Sequence, residues 1–350
     1  MQNKNNHLQN DVEHTMKKLF NRFNLKAITA GTLMIGATLA TSAQAATTLR
    51  IATTHAPDQY ASEVMRQIKK DLEGAGVDLK VKLHMASQLG SGEQLMGEAV
   101  RGSIDIVHAF VYSHKDPVLE INSLPYLVSS YDEMEKVFSP GSNFYNLFDQ
   151  RMDRLGLKLL GVTGEGFIGV MSSSKPDNYQ STDAKGQNVR VWSAQAAKLA
   201  THDLGYTTTT IDWGDAFPAI QQGVVDGMIG ATPEATYTTF KEAISHYVPY
   251  NAFVENTAYY ASKKTWERKL NDEQRKVVAD VFAKAAATFV DWSRENDLAN
   301  LKKLEAFGVE ILPLSDAERS AIAQKIRTQT WPKLEERLGK EVLDQVVADI

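Results

Sequence analysis

Alternating polar and apolar residues predict a strand near the middle of the chain, at residues 188–192. Successive side chains of a strand point to opposite faces, so Arg190 and Trp192 are predicted to share one face. The elements predicted next are a helix at 193–204, a strand at 207–211, a helix at 215–222 and a strand at 224–229. This order is typical of a parallel α/β sheet, which binds ligands at the carboxyl ends of its strands. An arginine beside a tryptophan at that edge indicates a pocket for an anion with an apolar body, and a solvent-exposed arginine is the alternative.

The residues before position 110 follow the same pattern. Strands are predicted at 48–54, 79–84 and 104–110, with a helix at 60–74 and a second helix that ends at residues 101–102. Residues 99–106 resemble residues 220–227, because each segment has a helix end, a glycine that stops the helix, and a strand with Asp three residues later. Two lobes built on similar α/β units would produce this repeat, and coincidence is the alternative because such junctions are common.

The second half of the chain predicts the elements that connect the lobes. Two strands are predicted at 157–163 and 167–172, meeting at the turn Gly164-Glu165-Gly166, and another strand at 254–262. Residues 271–307 contain neither Gly nor Pro and open with a capping pattern, so they predict one helix of roughly 55 Å. A helix of that length is expected to brace both lobes; a coiled-coil arm is the alternative, although no regular heptad persists.

The N-terminus predicts export from the cytoplasm. Basic residues precede an apolar run at 27–40, and Ala43-Gln44-Ala45 supplies a small-x-small cleavage pattern. This arrangement is typical of a secretory signal peptide, and 14 apolar residues are few for a membrane span. A short membrane anchor is the alternative. Met16 is the more natural start, which would make residues 1–15 an upstream extension. The mature chain is expected to begin near Ala46, after a signal peptide at residues 1–45, and to lie in the periplasm.

Composition and charge exclude several classes of site and partner. With 43% hydrophobic and 23% charged residues the chain has the composition of a globular protein, and it contains no cysteine. Cysteine nucleophiles, disulfides and thiolate metal sites are therefore excluded. Removing residues 1–45 takes away five basic and two acidic residues, so the net charge changes from −5 to −8. An acidic body without a basic cluster argues against binding nucleic acid or anionic lipid.

Enzyme motifs are missing or lie in the wrong structural context. Gly164, Gly166 and Gly169 match the dinucleotide-binding fingerprint by letter, but the residues that follow cannot form the helix that receives the pyrophosphate. No nucleophile elbow and no Walker loop are present. His108 and His114 lack the H-E-x-x-H spacing of a zinc site. We therefore predict no catalytic residues, no metal ligands and no cofactor.

The remaining candidates are typical of a small-molecule pocket between lobes. The guanidinium of Arg190 can donate two hydrogen bonds to a carboxylate or sulfonate. Trp192 and Trp213 offer flat apolar walls, and Glu165, in a glycine-flanked turn, could accept an ammonium group or a hydroxyl. A solvated loop residue is the alternative for each candidate other than the arginine. The predicted ligand-binding residues are Arg190, Trp192, Trp213, Glu165, Phe167, Thr232, Glu234, Tyr237, His55 and Gln88.

Four segments together carry a family resemblance. They are residues 88–90, 123–127, 183–191 and, most specifically, 219–227, which reads Ala-Ile-Gln-Gln-Gly-Val-Val-Asp-Gly. On these segments the chain resembles the periplasmic substrate-binding subunits of TRAP (tripartite ATP-independent periplasmic) transporters, over essentially all of its mature length.

The resemblance implies two α/β lobes that close over a ligand by hinge bending, with a long helix spanning both. Residues 46–172 plus about 255–295 are expected to form lobe 1, and residues 173–254 plus about 296–350 to form lobe 2. It implies delivery of the ligand to a membrane permease of one small and one large subunit, energised by a sodium gradient. It also implies that Arg190 pairs with the carboxylate of the ligand.

Two departures from the family pattern bear on the ligand. Many members have Asn before the proline that follows the Asp-Gly pair, where this chain has Thr232. Sialic-acid-binding members have a second arginine near the turn at which this chain has Glu165 and Phe167. A ligand with two anionic groups is therefore disfavoured. We expect a monoanion with an apolar part, or a zwitterion whose cation meets Glu165.

The predicted function is that of a periplasmic binding protein for a small organic acid, a carboxylate or alternatively a sulfonate or zwitterion. A ligand sensor for a membrane receptor is one alternative, because it would need the same lobe closure. A periplasmic enzyme is another, and Glu165 with His55 is the one acid–base pair that it could use.

Overall fold

A single mixed sheet of nine strands organises residues 46–350, the part of the chain that this computed structural model describes. The strands lie in the order β2-β1-β3-β8-β4-β7-β5-β6, and β9 pairs with β8. The predicted signal peptide, residues 1–45, lies outside the described residues. The strands are β1 (Thr47–Thr53), β2 (Leu79–His84), β3 (Ile106–Ala109), β4 (Leu157–Ser172), β5 (Asn188–Val191), β6 (Thr207–Thr210), β7 (Gly227–Ala231), β8 (His246–Ser262) and β9 (Glu310–Ile311).

Two long antiparallel strands, β4 and β8, run through the middle of the sheet. They have 16 and 17 residues, about three times the usual strand length of 5–6. The parallel strands β1–β3, which we call the first half, lie on one side of them, and the parallel strands β5–β7, the second half, lie on the other. The predicted parallel α/β units are therefore observed. β8 pairs with β3 of the first half, β4 pairs with β7 of the second half, and β4 and β8 pair with each other, so these two strands join the halves.

The sequence predicted two strands at 157–163 and 167–172, which was wrong because these residues form the single strand β4. The predicted turn between them is a β-bulge, where the pairing with β8 shifts register between Gly164 and Phe167. Gly166 has a φ of 120°, a conformation that favours glycine. Strand β8 likewise begins at His246, well before the predicted start at residue 254.

Helices follow most of the parallel strands, as the α/β pattern predicts. They are α1 (Tyr60–Gly74), α2 (Gly92–Arg101), α3 (Tyr131–Phe138), α4 (Asn143–Arg154), α5 (Gln195–Asp203), α6 (Trp213–Gln221), α7 (Pro233–Ala235), α8 (Lys263–Arg268), α9 (Asp272–Ala286), α10 (Thr288–Phe307), α11 (Asp316–Leu338) and α12 (Lys340–Val347), with a 3-10 helix at Pro117–Ser123 and a π-helix at Thr236–Phe240.

The helix predicted from residue 271 to 307 is divided at Ala287 into α9 and α10. The capping pattern at its start is observed, since Asn271 and Gln274 form a reciprocal capping box. At the division, the hydroxyl of Thr288 donates a 2.8 Å hydrogen bond to the carbonyl of Ala285. Such local side-chain bonds compete with helical backbone bonding, which gives a physical reason for the interruption.

The repeated glycine–aspartate segments form equivalent structures in the two halves. The glycines that end the two helices, Gly102 and Gly223, have positive φ angles of 85° and 71°. The backbone N–H of Asp105 donates to the carbonyl of Arg50, while its carboxylate accepts the N–H of Arg50 at 2.7 Å. Asp226 makes the same pair of bonds with Asn188, at 2.8 Å each. Each aspartate thereby connects the start of one parallel strand to its neighbour.

The C-terminal helices reach back to the first half of the sheet. Leu334 and Leu338 of α11 are buried in one hydrophobic cluster with Phe144 of α4. The carboxylate of Asp349 accepts hydrogen bonds from the backbone N–H groups of Asn143 and Phe144, at the start of α4. This contact satisfies N–H groups that the first turn of a helix leaves without partners.

Substitution of the two repeated aspartates tests their structural role. Asp105 also accepts hydrogen bonds from Thr265 and Lys269, at 2.6 and 2.7 Å. We expect Asp105→Ala to lower the free energy of unfolding in urea by about 2–4 kcal/mol and Asp226→Ala by about 1–2 kcal/mol. Asp280→Ala, which removes an exposed carboxylate, is the control and should change it by less than about 0.5 kcal/mol. Equal effects of all three substitutions would contradict this role.

Candidate functional site

A cavity lies at the carboxyl ends of the parallel strands, between the two halves of the sheet. The first half contributes residues that follow β1 and β3, the second half contributes residues of β5 and residues that follow β6 and β7, and β4 and β8 cross between them. The predicted ligand residues that line the cavity are His55, Glu165, Arg190, Trp192, Trp213, Thr232 and Glu234. The sequence prediction missed Phe110, Tyr112 and Glu255, which line it as well.

Arg190 is the cation of this cavity. It is 3% exposed, and its Nε donates a 2.8 Å hydrogen bond to the carbonyl of Ile211, which leaves both Nη groups for another partner. No carboxylate of residues 46–350 lies within 4 Å of it. Burial lowers the pKa of Arg190 to about 10, against the opposing effects of Tyr112 and Glu255, so the guanidinium stays protonated at neutral pH. A buried guanidinium with both Nη groups available has the donors that a carboxylate can accept in parallel.

Gly230 of β7 makes room for this guanidinium. A Cβ at that position would lie 3.0 Å from Nη1 of Arg190 and 3.2 Å from the ring of Trp192, and φ is 120°. Both the space and the backbone conformation therefore require glycine.

Aromatic rings form the apolar walls. Trp192 is 8% exposed, and its ring meets those of Phe110 and Phe253 edge-on, with centroids 6.1 and 5.2 Å away. Its Nε1 donates a hydrogen bond to the hydroxyl of Ser123 at 3.3 Å. The ring of Trp213, the first residue of α6, lies 5.9 Å from the Arg190 guanidinium. The walls thus enclose the charged group and reduce its access to water.

Glu165 lies at the bulge of β4, between two histidines. Its carboxylate oxygens are 2.9 Å from Nε2 of His55 and 3.4 Å from Nε2 of His108, and it also accepts hydrogen bonds from Thr163 and Thr257. Burial alone would raise the pKa of Glu165, but His55 and His108 outweigh burial and hold that pKa well below its ordinary value. Both of its oxygens therefore have partners within the protein, and the expectation that Glu165 accepts a ligand cation stays a prediction.

The pKa values of the two histidines are shifted in opposite directions. Burial lowers the pKa of His55, but the charge of Glu165 outweighs burial, and the net shift is upward. Burial and the charge of His55 lower the pKa of His108 to about 4. Beside the Glu165 carboxylate, the pKa values of the two imidazoles are therefore shifted in opposite directions, and His108 is neutral at neutral pH. The two rings stack with centroids 4.5 Å apart.

This cluster also has the donor types of a metal site. One ligand atom each from His55, His108 and Glu165 lies within 4.8 Å of the others, and two imidazoles with a carboxylate are a common zinc donor set. The rings are stacked, and each Nε2 faces a different oxygen of the carboxylate. This geometry orients the carboxylate. The absence of metal ligands stays a prediction.

Two further carboxylates face the cavity. Oε1 of Glu234 accepts a 2.7 Å hydrogen bond from the backbone N–H of Tyr60, the first residue of α1. Burial raises the pKa of Glu234 to about 7. Burial and the charge of Glu165 raise the pKa of Glu255 to about 8. Glu255 lies within the strand predicted at 254–262, but no local pattern showed that this strand borders the cavity.

Three predicted ligand residues lie outside the cavity, so those predictions are corrected. Gln88 is exposed in a turn, where its N–H donates to the carbonyl of Met85. The bulge at Gly166 turns Phe167 to the opposite face from Glu165, and its ring packs 5.3 Å from that of Tyr131. The π-helix directs Tyr237 toward two lysines, and its ring lies 4.4 Å from the ammonium group of the nearer one.

Comparison with known proteins identifies the family. The model described as "Bacterial extracellular solute-binding protein, family 7" matches residues 51–336. The chain belongs to this family. Among curated relatives, the ectoine/5-hydroxyectoine-binding periplasmic protein UehA of Ruegeria pomeroyi is 24% identical over 339 residues, 94% of this chain and 97% of the relative. The C4-dicarboxylate-binding periplasmic protein DctP of Rhodobacter capsulatus is 24% identical over 234 residues, 65% of this chain and 67% of the relative.

Solved structures of this family share the fold. The sugar acid binding protein DctPAm from Advenella mimigardefordensis, in complex with galactonate, superimposes with a TM-score of 0.79 at 22% identity, over 87% of this chain and 98% of that chain. A TRAP solute-binding protein from Sulfurospirillum deleyianum with bound succinate gives a TM-score of 0.79 at 18% identity, over 88% and 100%. The predicted two-lobed binding-protein fold is therefore confirmed.

Family membership settles the broad class of this chain. It confirms the resemblance to TRAP solute-binding subunits and places the chain among proteins that bind solutes and are not enzymes. The family is extracytoplasmic, in keeping with the predicted periplasmic location. Within residues 46–350, none of the helices has both the length and the apolar character that crossing a membrane requires.

The neutral state of His108 predicts a pH-dependent stability. The pKa of this histidine falls from 6.5 to about 4 on folding, so the unfolded chain binds a proton that the folded chain does not between these values. The contribution of this histidine to the free energy of unfolding is fully present above pH 6.5. It is lost as the pH falls toward 4, by up to about 3 kcal/mol. Urea unfolding measures the free energy of unfolding at pH 7 and at pH 4.5. The decrease between these two values should be smaller in His108→Gln than in the original chain.

The control for this measurement is His202→Gln, which removes a histidine whose side chain is 78% exposed. It should retain the full pH dependence. An identical loss in the His108 variant and in the original chain would contradict the assignment of a neutral, buried imidazole.

Proposed function

We propose that this protein captures a small organic acid in the periplasm and delivers it to a TRAP permease of one small and one large membrane subunit, energised by a sodium gradient. The observation that carries the proposal is the buried guanidinium of Arg190, which faces the cavity with two free Nη groups and without a carboxylate partner in residues 46–350. A ligand carboxylate would supply the missing counter-charge and accept two parallel hydrogen bonds.

The size and walls of the cavity support a small ligand. Its volume is about 70 Å³, several times the roughly 10–15 Å³ that one water molecule needs in the same measure. Trp192 and Trp213 would cover the apolar part of the ligand, and a charge-assisted hydrogen bond is stronger when water is excluded. The names of relatives point to the same chemistry, since these proteins bind succinate, galactonate, C4-dicarboxylates or ectoine.

The delivery step is inferred from family membership and from the predicted leader. TRAP binding proteins work with membrane components, and export would place this chain beside them. We propose that the leader is cleaved between Ala45 and Ala46, where the sequence Ala-Gln-Ala ends.

Arg190→Lys tests ligand capture. A lysine keeps the charge but cannot donate two parallel hydrogen bonds, so we expect at least a hundredfold loss of affinity for whichever of succinate, galactonate, orotate or ectoine binds the original chain. Calorimetry measures the affinity, and circular dichroism checks that the fold is intact. Arg66→Lys, at an exposed position on α1, is the matched control and should bind as the original chain does. Unchanged affinity in the Arg190 variant would refute the site.

Uptake into proteoliposomes tests delivery. Vesicles that contain both membrane subunits should accumulate the ligand when this protein, the ligand and an inward sodium gradient are all present, and should fail to do so when any one is omitted. Mass spectrometry of the protein from the periplasm should give an N-terminus at Ala46. Ligand binding without accumulation under any gradient would favour the sensor alternative instead.

A further inference from the structure

The cavity contains more carboxylates than its own cations compensate. Glu165 is paired with His55 and His108, whose Nε2 atoms lie 2.9 and 3.4 Å from its carboxylate oxygens. Glu234 and Glu255 remain, and within residues 46–350 neither forms an ion pair within 4 Å. The proposed acid-binding role of Arg190 gives no reason for two additional carboxyl groups in the same cavity, because in their ionised form they would repel a simple anion.

Glu255 has fewer hydrogen-bond partners among the described residues than Glu234. It lies on β8 at the centre of the sheet, and no hydrogen bond from any described residue reaches its carboxylate. Glu234, by contrast, has one oxygen engaged by the N–H of Tyr60, which fixes its position and leaves Oε2 for another partner. Glu255 is half-buried and faces the cavity without a hydrogen-bond donor from a described residue. A carboxyl group that has lost part of its hydration without gaining a donor is costly, so its presence points to a donor that arrives from outside the protein.

Glu255 and Arg190 do not neutralise each other. They interact at a distance, but no ion pair joins them within 4 Å. The cavity therefore presents a positive and a negative group as two separate positions. The ring of Tyr112 stands edge-on to that of Phe110 at 5.1 Å in the wall, and aromatic faces attract cations as well as apolar groups.

We propose that the ligand is a zwitterion, whose carboxylate binds Arg190 and whose ammonium or amidinium group binds Glu255, with Glu234 as the second acceptor. This inference rests on the proposed function, because it assumes an organic acid on Arg190. It moves the cation from Glu165, where the sequence placed it, to carboxylates that lack an internal partner.

The ionisation of Glu255 supports this assignment. Without a ligand, burial and the neighbouring Glu165 raise its pKa to about 8, while His55 and Arg190 act in the opposite direction. A ligand cation would replace the proton that the carboxylate otherwise holds. Binding near pH 7 would thus release protons, which calorimetry in buffers of different ionisation enthalpy detects.

The test uses pairs of ligands that differ in the cation alone. Glycine betaine is paired with 3,3-dimethylbutanoate, γ-aminobutyrate with pentanoate, and ectoine with a methylcyclohexenecarboxylate of the same shape. Thermal shift and calorimetry on the mature chain should show that at least one zwitterion binds tenfold or more tightly than the paired acid, which has the same carboxylate but no cation. This comparison needs no variant, so it remains decisive if a substitution impairs folding.

Glu255→Gln then assigns the preference to a residue. At about pH 9, above the pKa of Glu255, it should weaken binding of that zwitterion by about tenfold or more and strengthen binding of the matched monoanion, because the repulsive charge of the ionised carboxylate is removed. Glu267→Gln, at an exposed position on α8, removes the same charge outside the cavity and should change neither affinity. Equal binding of zwitterions in the Glu255 variant and the original chain would overturn the assignment.

The remaining outcomes separate this inference from the proposed function. One outcome is that succinate, galactonate or the paired acids without a cation bind through Arg190 and that no zwitterion binds. The organic-acid function then stands, and the zwitterion inference is overturned. If none of these acids binds, both are overturned.

Discussion

The cavity is arranged around the guanidinium of Arg190, which is buried without a carboxylate partner among residues 46–350. Removing a charge from water costs several kcal/mol unless partners replace the lost hydration. For Arg190 the replacement is incomplete: the carbonyl of Ile211 takes Nε, Gly230 leaves space for Nη1, and the carboxylates of the cavity act only at a distance. The fold tolerates this because the cation sits on a strand whose neighbours fix it. The unmet interaction is what the protein offers to a ligand.

Around that cation the carboxylates are in different states, and their surroundings explain the difference. Glu165 has two imidazoles and two hydroxyl groups, so it is ionised. Glu234 has one backbone donor, and Glu255 has none among the described residues; the pKa values of both are raised to near neutrality. One cavity thus contains a compensated carboxylate and two whose charge depends on what occupies it. The protonation states of Glu234 and Glu255 would therefore determine selectivity among small acids.

Local sequence patterns predicted the parallel units, the repeated aspartates and the position of Arg190, because each depends on alternation or on a stop glycine within a few residues. Seven of the ten predicted ligand residues line the cavity for the same reason. The bulge at Gly166 was not predictable, since it arises from pairing with β8, and it turned Phe167 away from the cavity. The pairing of Glu165 with His55 and His108 joins residues far apart in sequence. Glu255 was not predicted because its place in the cavity depends on which strands pair with β8, and not on the residues beside it in sequence.

The two central strands carry a mechanical consequence. β4 and β8 are hydrogen-bonded to each other on both sides of the bulge, β8 also pairs with β3 of the first half, and β4 also pairs with β7 of the second half. Translation of one half past the other would shear this ladder and break its hydrogen bonds together. Rotation about an axis through the bulge would change the twist at a few residues and keep the ladder paired on either side. The backbone therefore restricts relative displacement of the halves to a swinging motion, with the cavity at its pivot.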